Sequence, residues 1–357
     1  MSIGSCLRAI CLPRGKLAAL VAATAAVLAT APQAHSPTTQ VTWTTDVAPI
    51  VAARCASCHR AGGFGSMPLT TYEEVKAQIK AIRGEVLSGR MPPWTAAPGF
   101  GDFSNDAGLS PIELELLTRW LDGGAPRGDA VLSRPPVSKM PEGFEVVRLP
   151  LSEIRVTGGS TERFEPPASW NDDRWIGGWR FEPGVASLVE GVTLSIRPNG
   201  ARIGSWTPFD SAVWFPAGTG ERLPKGTSLT LDVRYRKSTE PRIDRSSVTV
   251  YFRSRPAHEI HHRVVACGAG EIVGAIDVVA VRPQLTRAGD SIEVVSYGAD
   301  GRVEPLCVLS RYLPEYPITY RLRTPVRLDR GAQIRVSARG DCAAAIDYVD
   351  RRSALSP

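Results

Sequence analysis

The chain has 357 residues, which is long for one domain and suits two or three. Its 33 Gly and 29 Pro, together with only 7% aromatic residues, favour turn-rich β structure over a long helical bundle. The formal net charge of +6 falls to +3 when the three basic residues near the N-terminus are set aside. So mild a charge, spread over a large chain, argues against a nucleic-acid partner.

The first residues have the pattern of a secretory signal peptide. Arg8, Arg14 and Lys16 form a basic segment, and an apolar run over residues 17–31 follows it. Small residues come next, which predicts cleavage near Ala34 and a signal peptide over residues 1–34. The alternative is an uncleaved N-terminal anchor. We expect a periplasmic or secreted protein with no membrane span after cleavage.

Residues 55–59 read Cys-Ala-Ser-Cys-His, which is the C-x-x-C-H pattern of covalent haem attachment. Two thiols at this spacing reach the two vinyl groups of haem, and the His directly after them falls under the iron. We therefore expect one covalent haem c on Cys55 and Cys58, with His59 as the proximal iron ligand. The alternatives are a redox C-x-x-C with an unrelated His, or half of a zinc site, for which residues 60–130 offer no second ligand pair.

The distal iron ligand would be a thioether or an imidazole. From the motif to residue 130 there is no second His, and the only Met residues are Met67 and Met91. Met91 opens the phrase Met-Pro-Pro-Trp, whose prolines stiffen a loop able to present a side chain to the distal face. We predict Met91 as the distal ligand. Met67 is the alternative, and its position is more typical of a pocket wall.

Short helices are predicted on both sides of the motif, each with a polar residue able to cap its first turn. The predicted caps are Thr45, Thr71 with Glu74, and Ser110 with Glu113. The second helix is expected to end at Gly89 and the third at Gly123-Gly124. These features predict a small all-α, class I-like cytochrome c haem domain over residues 41–130, followed by a Pro- and Ser-rich linker over residues 131–150.

Beyond the linker, apolar and polar residues alternate with the period of a β-strand. The clearest alternating segments are 192–196, 229–233, 248–252, 292–297 and 333–338. Asn199-Gly200 and Asp300-Gly301 are hairpin-type turns. We predict an all-β antiparallel sandwich region of jelly-roll type, in two subdomains over residues 151–255 and 256–350. The predicted fold class is thus multidomain, all-α and then all-β.

A series of short phrases is spaced along the chain. They are Met-Pro-Pro-Trp (91–94), Trp-Asn-Asp-Asp-Arg-Trp (170–175), Arg-Leu-Pro-Lys-Gly (222–226), Asp-Arg-Ser-Ser-Val (244–248) and Ile-Thr-Tyr-Arg-Leu (318–322). In this order they resemble a bacterial family in which a cytochrome c precedes a copper type II ascorbate-dependent monooxygenase-like domain. That domain is related to peptidylglycine α-hydroxylating and dopamine β-monooxygenases. The resemblance covers residues 41–340 and implies a copper enzyme.

The copper ligands that the resemblance implies are all replaced in this chain. Glu190-Gly191 stands in place of a His-His pair, Arg234-Tyr235-Arg236 in place of His-x-His, and Arg282-Pro283-Gln284 in place of a Met-His pair. Because guanidinium groups cannot replace imidazoles on copper, we do not expect copper. The arginines in this region, Arg234, Arg236, Arg242 and Arg245, are predicted to form a solvated strand-and-turn face. The alternative is an inward-facing Arg pair that binds a carboxylate.

One cluster of His residues is left, in the phrase Ala-His-Glu-Ile-His-His at residues 257–262. On a strand, His258 and His262 would share a face and His261 would point away, so we predict a solvated polar edge, with a small metal site as the alternative. Three further cysteines, of which any one pair could form a disulfide, are Cys267, Cys307 and Cys342.

The residues predict an exported mono-haem c-type cytochrome that transfers one electron to or from an unidentified redox partner protein. Its β region would be a degenerate copper-monooxygenase-like module that binds a partner or a ligand. One alternative is an active copper-dependent monooxygenase, with copper held by the His258 cluster and electrons supplied by its own haem. A third is a purely structural β module that positions the cytochrome in a larger complex. No nucleophile-base-acid set stands out, so whether the chain is an enzyme stays open.

Overall fold

The structure is a computed structural model that describes residues 40–129, 142–268 and 270–352. The predicted signal peptide and the first part of the predicted linker lie outside these residues. From Val41 onward the chain forms one compact unit. Within the described ranges, no helix combines the length and the apolar character needed to cross a bilayer.

The helices of the described chain are short and lie before residue 123. A π-helical turn, Trp43–Val47, leads into the first α-helix. The α-helices are α1 (Ala48–Arg54), α2 (Tyr72–Ala77), α3 (Ile79–Leu87) and α4 (Pro111–Asp122). Both predicted capping boxes are confirmed, at the start of α2 and at the start of α4, with the side-chain and backbone hydrogen bonds of each present.

Two details of the helix predictions are wrong. Thr45 does not cap the first helix, because the Asp46 carboxylate reaches back to the Thr42 backbone N–H at 2.8 Å and helical structure begins earlier. The predicted second helix is two helices, α2 and α3, since Gln78 has a non-helical backbone and interrupts it. As predicted, α3 stops before Gly89, whose φ is +65°.

Nineteen strands follow the helices among the described residues. They are β1 (Glu145–Pro150), β2 (Ile154–Val156), β3 (Ser160–Phe164), β4 (Arg174–Glu182), β5 (Val189–Arg197), β6 (Arg202–Trp206), β7 (Val213–Trp214), β8 (Thr219–Leu223), β9 (Ser228–Tyr235), β10 (Arg242–Asp244), β11 (Ser247–Arg253), β12 (His258–Ala266), β13 (Glu271–Ile272), β14 (Ile276–Leu285), β15 (Ile292–Tyr297), β16 (Val303–Leu309), β17 (Tyr320–Leu328), β18 (Gln333–Ala338) and β19 (Cys342–Asp350). All five predicted strands and both predicted hairpins, β5–β6 and β15–β16, are present.

One long sheet runs through the whole β region. Its strand order is β1-β11-β4-β8-β12-β19-β14-β17, with β7 beside β4. Two four-stranded sheets, β3-β9-β5-β6 and β13-β18-β15-β16, supply further strands, and β2 pairs with β10. Strands β8 and β12 are parallel, at His258 opposite Thr219, whereas the other pairs named here are antiparallel. That parallel contact joins the two halves of the long sheet.

Each half of the long sheet shares a hydrophobic core with one four-stranded sheet. In the first core, Trp179 of β4 and Val250 of β11 meet Leu194 of β5. In the second, Val278 of β14 and Ile346 of β19 belong to the same cluster as residues of β15, β16 and β18. Burial of alternate apolar residues from facing strands is the main stabilising contribution of such sandwiches.

The predicted fold class is wrong, because the helices do not form a separate all-α cytochrome c domain. The segment after the helices enters the β region, where Ala96 forms a bridge with Leu309 and Phe103 with Leu322. Phe103 is only 4% exposed and belongs to the second β core. The helices share a small apolar cluster that includes Val75, Leu117 and Trp120, but the segment between α3 and α4 pairs with β17 and β16, and the unit is mostly β. The sequence-based boundaries within the β region stay predictions.

Candidate functional site

The C-x-x-C-H motif forms a turn that continues directly from α1. The His59 backbone N–H donates to the Cys55 carbonyl at 2.9 Å, and the Cys58 N–H donates to the same oxygen at 3.2 Å. This turn brings both thiols and the imidazole to one cavity of about 240 Å³. The three residues selected from the sequence therefore share one site.

A backbone hydrogen bond fixes the orientation of the His59 ring. Its Nδ1 lies 2.9 Å from the Met67 carbonyl oxygen, to which it donates in the Nδ1–H tautomer. Nε2 is then the nitrogen with a lone pair available for a metal. Gly65 packs closely against the ring, since a Cβ at this residue would lie 2.6 Å from Nδ1. The ring is thus held in place on its Nδ1 side.

Apolar side chains make up most of the helical wall of the cavity. Those that line it include Leu69, Ile82, Val86, Leu109 and Leu117. Met67 and Met91 also line it, so lining alone does not choose between them. Met67 packs against the helical core, and its carbonyl lies at the Nδ1 edge of His59, away from Nε2. The choice of Met91 as the thioether ligand stays a prediction from the sequence.

The β region supplies the rest of the cavity wall, which the sequence did not indicate. Phe209, Arg236 and Tyr316 line the cavity together with the motif. The Arg236 guanidinium lies 3.6 Å from the centroid of the Phe64 ring. It has no carboxylate within ion-pair distance among the described residues. The motif and the β region therefore form one site, with a cation at its edge.

The two thiols lack the features of a redox dithiol. Cys55 and Cys58 are both free in the structure, and Cys58 is buried. Burial and the neighbouring Cys58 raise the pKa of Cys55 to about 11, and burial also raises the pKa of Cys58. Reactive redox cysteines have lowered thiol pKa values instead. Within the described part of the chain, no group of three or more His, Cys, Asp or Glu residues could hold a metal ion such as zinc.

The side chains that line this cavity are of the kinds that covalent haem c requires. Two adjacent thiols, an imidazole with an available Nε2, a thioether and an apolar wall all meet in one cavity. Arg236 adds a cation able to pair with a haem propionate.

The segments that replace the implied copper ligands meet at a second cavity. Gly191, Arg234, Arg282 and Gln284 line it, and Arg234 Nε donates to Glu190 at 3.0 Å. Among the described residues lining this cavity there is no His, Cys or Met. Its polar groups are guanidinium, hydroxyl and amide groups and the Asp232 carboxylate, which is paired with Arg163, so the cavity suits an anion better than copper.

The His cluster lies on β12, and its member His262 contacts two carboxylates. His262 Nδ1 lies 2.7 Å from Asp347 Oδ1, and Nε2 lies 3.0 Å from Glu221 Oε2. With both ring nitrogens bonded to carboxylates, His262 has no lone pair free for a metal. Burial lowers the pKa of His262, but the hydrogen bonds to these carboxylates outweigh it and raise the pKa to about 9. Burial raises the pKa of Glu221 to about 7.

The structure also settles the cysteine pairing that the sequence left open. Cys267 and Cys342 form a disulfide across β12 and β19, with a Cα–Cα distance of 5.0 Å. Cys307 is a buried free thiol, and burial raises its pKa.

Neither Glu221 nor Asp347 could have been assigned to His262 from the sequence, because both contacts join strands that are distant in sequence.

No family model matches the chain, and no curated protein matches it. The major capsid protein P2 of bacteriophage PM2 is 10% identical over 59% of this chain and 100% of that chain, with a TM-score of 0.32. A structure of Sulfolobus turreted icosahedral virus is 12% identical over 62% and 99% of the two chains, with a TM-score of 0.16. The A223 turret protein of that virus is 11% identical over 57% and 98%, with a TM-score of 0.17. Scores this low carry no functional inference.

Proposed function

We propose that the protein is an exported mono-haem c-type cytochrome that exchanges one electron with a redox partner protein. The observation that carries this proposal is the orientation of His59, whose Nδ1 is bonded to a backbone carbonyl while Cys55, Cys58 and Met91 line the same cavity. A lone C-x-x-C-H match would be weaker support, because the motif alone does not orient a ligand.

The residues around the cavity have distinct roles under this proposal. Cys55 and Cys58 would hold the haem through two thioether bonds, and His59 Nε2 and Met91 Sδ would bind its iron. When bound, haem c supplies a one-electron Fe(III)/Fe(II) couple, whose potential a Met ligand raises relative to a second His. The apolar wall excludes water from the cavity, which disfavours the more charged oxidation state.

The wall from the β region would tune this couple. The Arg236 guanidinium has no carboxylate partner among the described residues, so it can pair with a propionate and stabilise the reduced state. Tyr316 and Phe209 pack edge to face, 5.5 Å between ring centroids, and close the cavity on the same side. Under this proposal the β region forms part of the haem site and also binds a partner or a ligand.

The proposal is tested by expression with a cytochrome c maturation system, followed by a pyridine haemochrome spectrum and elemental analysis. We expect one Fe per chain as covalent haem c. Cys55→Ser and Cys58→Ser should each leave a single-thioether spectrum and a much lower yield of holoprotein. Cys307→Ser is the matched control, because Cys307 is also a buried free thiol but lies outside the motif. Failure of the wild-type chain to take up covalent haem would overturn the proposal.

Ferric spectra test the choice of distal ligand. Met91→Ala should remove the sulfur-to-iron charge-transfer band, whereas Met67→Ala should retain it. The reverse result would transfer the assignment to Met67. Elemental analysis after copper loading tests the alternative function, a copper-dependent monooxygenase. Stoichiometric, tightly bound copper would favour that function over simple electron transfer.

A further inference from the structure

The second cavity lies between β5, β6, β9 and β14 and has a volume of about 400 Å³. Its polar lining includes Arg234, Arg282, Ser205 and Thr193. Pro283, Tyr312, Pro314 and Trp206 give it an apolar side. The cavity therefore combines strong N–H donors on one side with apolar and aromatic groups on the other.

Several of these donors have no acceptor in the described part of the chain. Nε of Arg282 and Nη2 of Arg234 are both buried and make no hydrogen bond. Arg282 Nη1 donates to Ser205 Oγ at 2.7 Å, and no carboxylate of the described residues lies within ion-pair distance of this guanidinium. Buried N–H groups of a guanidinium without an acceptor are costly, and more so because the group is charged.

Ser205 does not supply the lacking acceptors. Its Oγ accepts from Arg282 Nη1 at 2.7 Å and also from Arg202 Nη2 at 2.9 Å. Both hydroxyl lone pairs are then in use, which leaves the Ser205 hydroxyl itself as a further donor. Burial and the nearby Arg202 lower the pKa of Arg282, as expected for like charges held together out of water.

The carboxylates near the cavity are already paired with other groups. Asp232 lines the cavity, but it accepts two hydrogen bonds from Arg163, at 2.7 and 3.0 Å. Asp347 is hydrogen-bonded to His262. Glu190 accepts a hydrogen bond from Nε of Arg234, and Nη2 of the same guanidinium has no partner among the described residues. The cavity thus presents two cations whose charge its own acidic residues neutralise only in part.

We propose that this cavity binds a small organic carboxylate, held by the guanidinium groups of Arg234 and Arg282 with its apolar body against Tyr312 and the prolines. The planar fork of Arg matches the two oxygens of a carboxylate. A free inorganic phosphate would satisfy the same donors but would leave the apolar side without a contact. The site is separate from the C-x-x-C-H cavity and does not depend on haem.

Calorimetric titration of the full exported chain with sodium benzoate tests the proposal, with benzamide as the neutral isostere and sodium phosphate as the competing oxyanion. Ionic strength is matched with sodium chloride. We expect saturable binding of benzoate, no saturable binding of benzamide, and phosphate binding weaker than that of benzoate. Arg282→Gln and Arg234→Gln should each weaken benzoate binding by about tenfold or more. Arg335→Gln is the control, because Arg335 lies on β18, away from this cavity, and should leave binding unchanged.

Arg282→Gln is expected to fold, because it removes a partly desolvated cation that has no carboxylate partner among the described residues. Thermal unfolding of each variant checks that it is folded. If Arg282→Gln is unfolded, Arg282→Lys keeps the charge but loses the fork, and it should also weaken benzoate binding. Absence of saturable benzoate binding by the wild-type chain overturns the proposal. So does benzoate affinity unchanged in both Arg282→Gln and Arg234→Gln, or phosphate binding tighter than benzoate.

Discussion

The His262 network makes a quantitative prediction about stability and pH. His262 is 20% exposed and lies between Asp347 and Glu221, which are less exposed still. Its folded-state pKa of about 9 lies above the ordinary value of 6.5, so the folded protein binds this proton more tightly than the unfolded chain does. The difference corresponds to roughly 3 kcal/mol of stability. This contribution is complete below pH 6.5 and is lost as the pH rises through 9.

The perturbation is His262→Gln, assayed by urea unfolding between about pH 6 and about pH 10. At the lower end we expect the variant to be less stable than wild type by roughly 3 kcal/mol. The gap should close toward the upper end, where wild-type His262 has lost its proton. Groups that do not contact His262 titrate alike in both proteins and cancel in the difference, whereas Glu221, whose pKa the contact with His262 lowers, does not cancel. The raised pKa of Glu221 affects stability at lower pH, between pH 4.5 and about 7, because ionisation of this buried carboxyl destabilises the folded protein.

The neighbouring residue provides a matched control. His261 lies on the same strand beside Tyr348 and makes no carboxylate contact of this kind. His261→Gln should therefore change stability little. A gap for His262→Gln that stays constant across the pH range would refute the reasoning, because it would mean that packing rather than charge stabilises the network.

Two further predictions concern the cavity and its attachment to the β region. Gly65→Ala places a methyl group 2.6 Å from His59 Nδ1 and should lower the yield of haem-loaded protein in the haemochrome assay, whereas Gly84→Ala, where a Cβ has nothing within 4 Å, should leave that yield unchanged. Phe103→Ala removes a side chain that is 4% exposed in the second β core and should cost roughly 3–5 kcal/mol in urea unfolding. Phe100→Ala, at a side chain 45% exposed, should cost little, and equal losses from the two variants would contradict the proposed packing.

Local features were predicted best. The capping boxes at Thr71 and Ser110 depend on groups within three residues of each other, so their pattern is visible in the sequence. The alternating segments became strands for the same reason, since the two-residue period of a strand is itself a local property. The break at Gln78 was missed because nothing in the sequence around it forbids a helix.

Long-range packing was not predicted. The expectation of an independent all-α domain failed because Phe103 and Ala96 leave the helices and join strands more than two hundred residues away. The contribution of Arg236 and Tyr316 to the C-x-x-C-H cavity and the pairing of Cys267 with Cys342 also depend on contacts between distant segments. Each depends on contact between two segments that are distant in sequence, and such a contact leaves no local pattern in a single sequence.

The sequence by itself determined the chemistry available to the protein: two thiols and an imidazole at the spacing of haem attachment, and arginines at the positions where the resemblance implies copper ligands. Only the tertiary structure decided how these groups are used. In the folded chain, residues of the β region complete the cavity that contains the motif, and the His59 ring is hydrogen-bonded to the Met67 carbonyl. Arg234 and Arg282 line a second cavity together. The physical reason is that the identity of a side chain sets its chemistry, whereas burial and the partners supplied by distant strands set its orientation, its charge and its ligand.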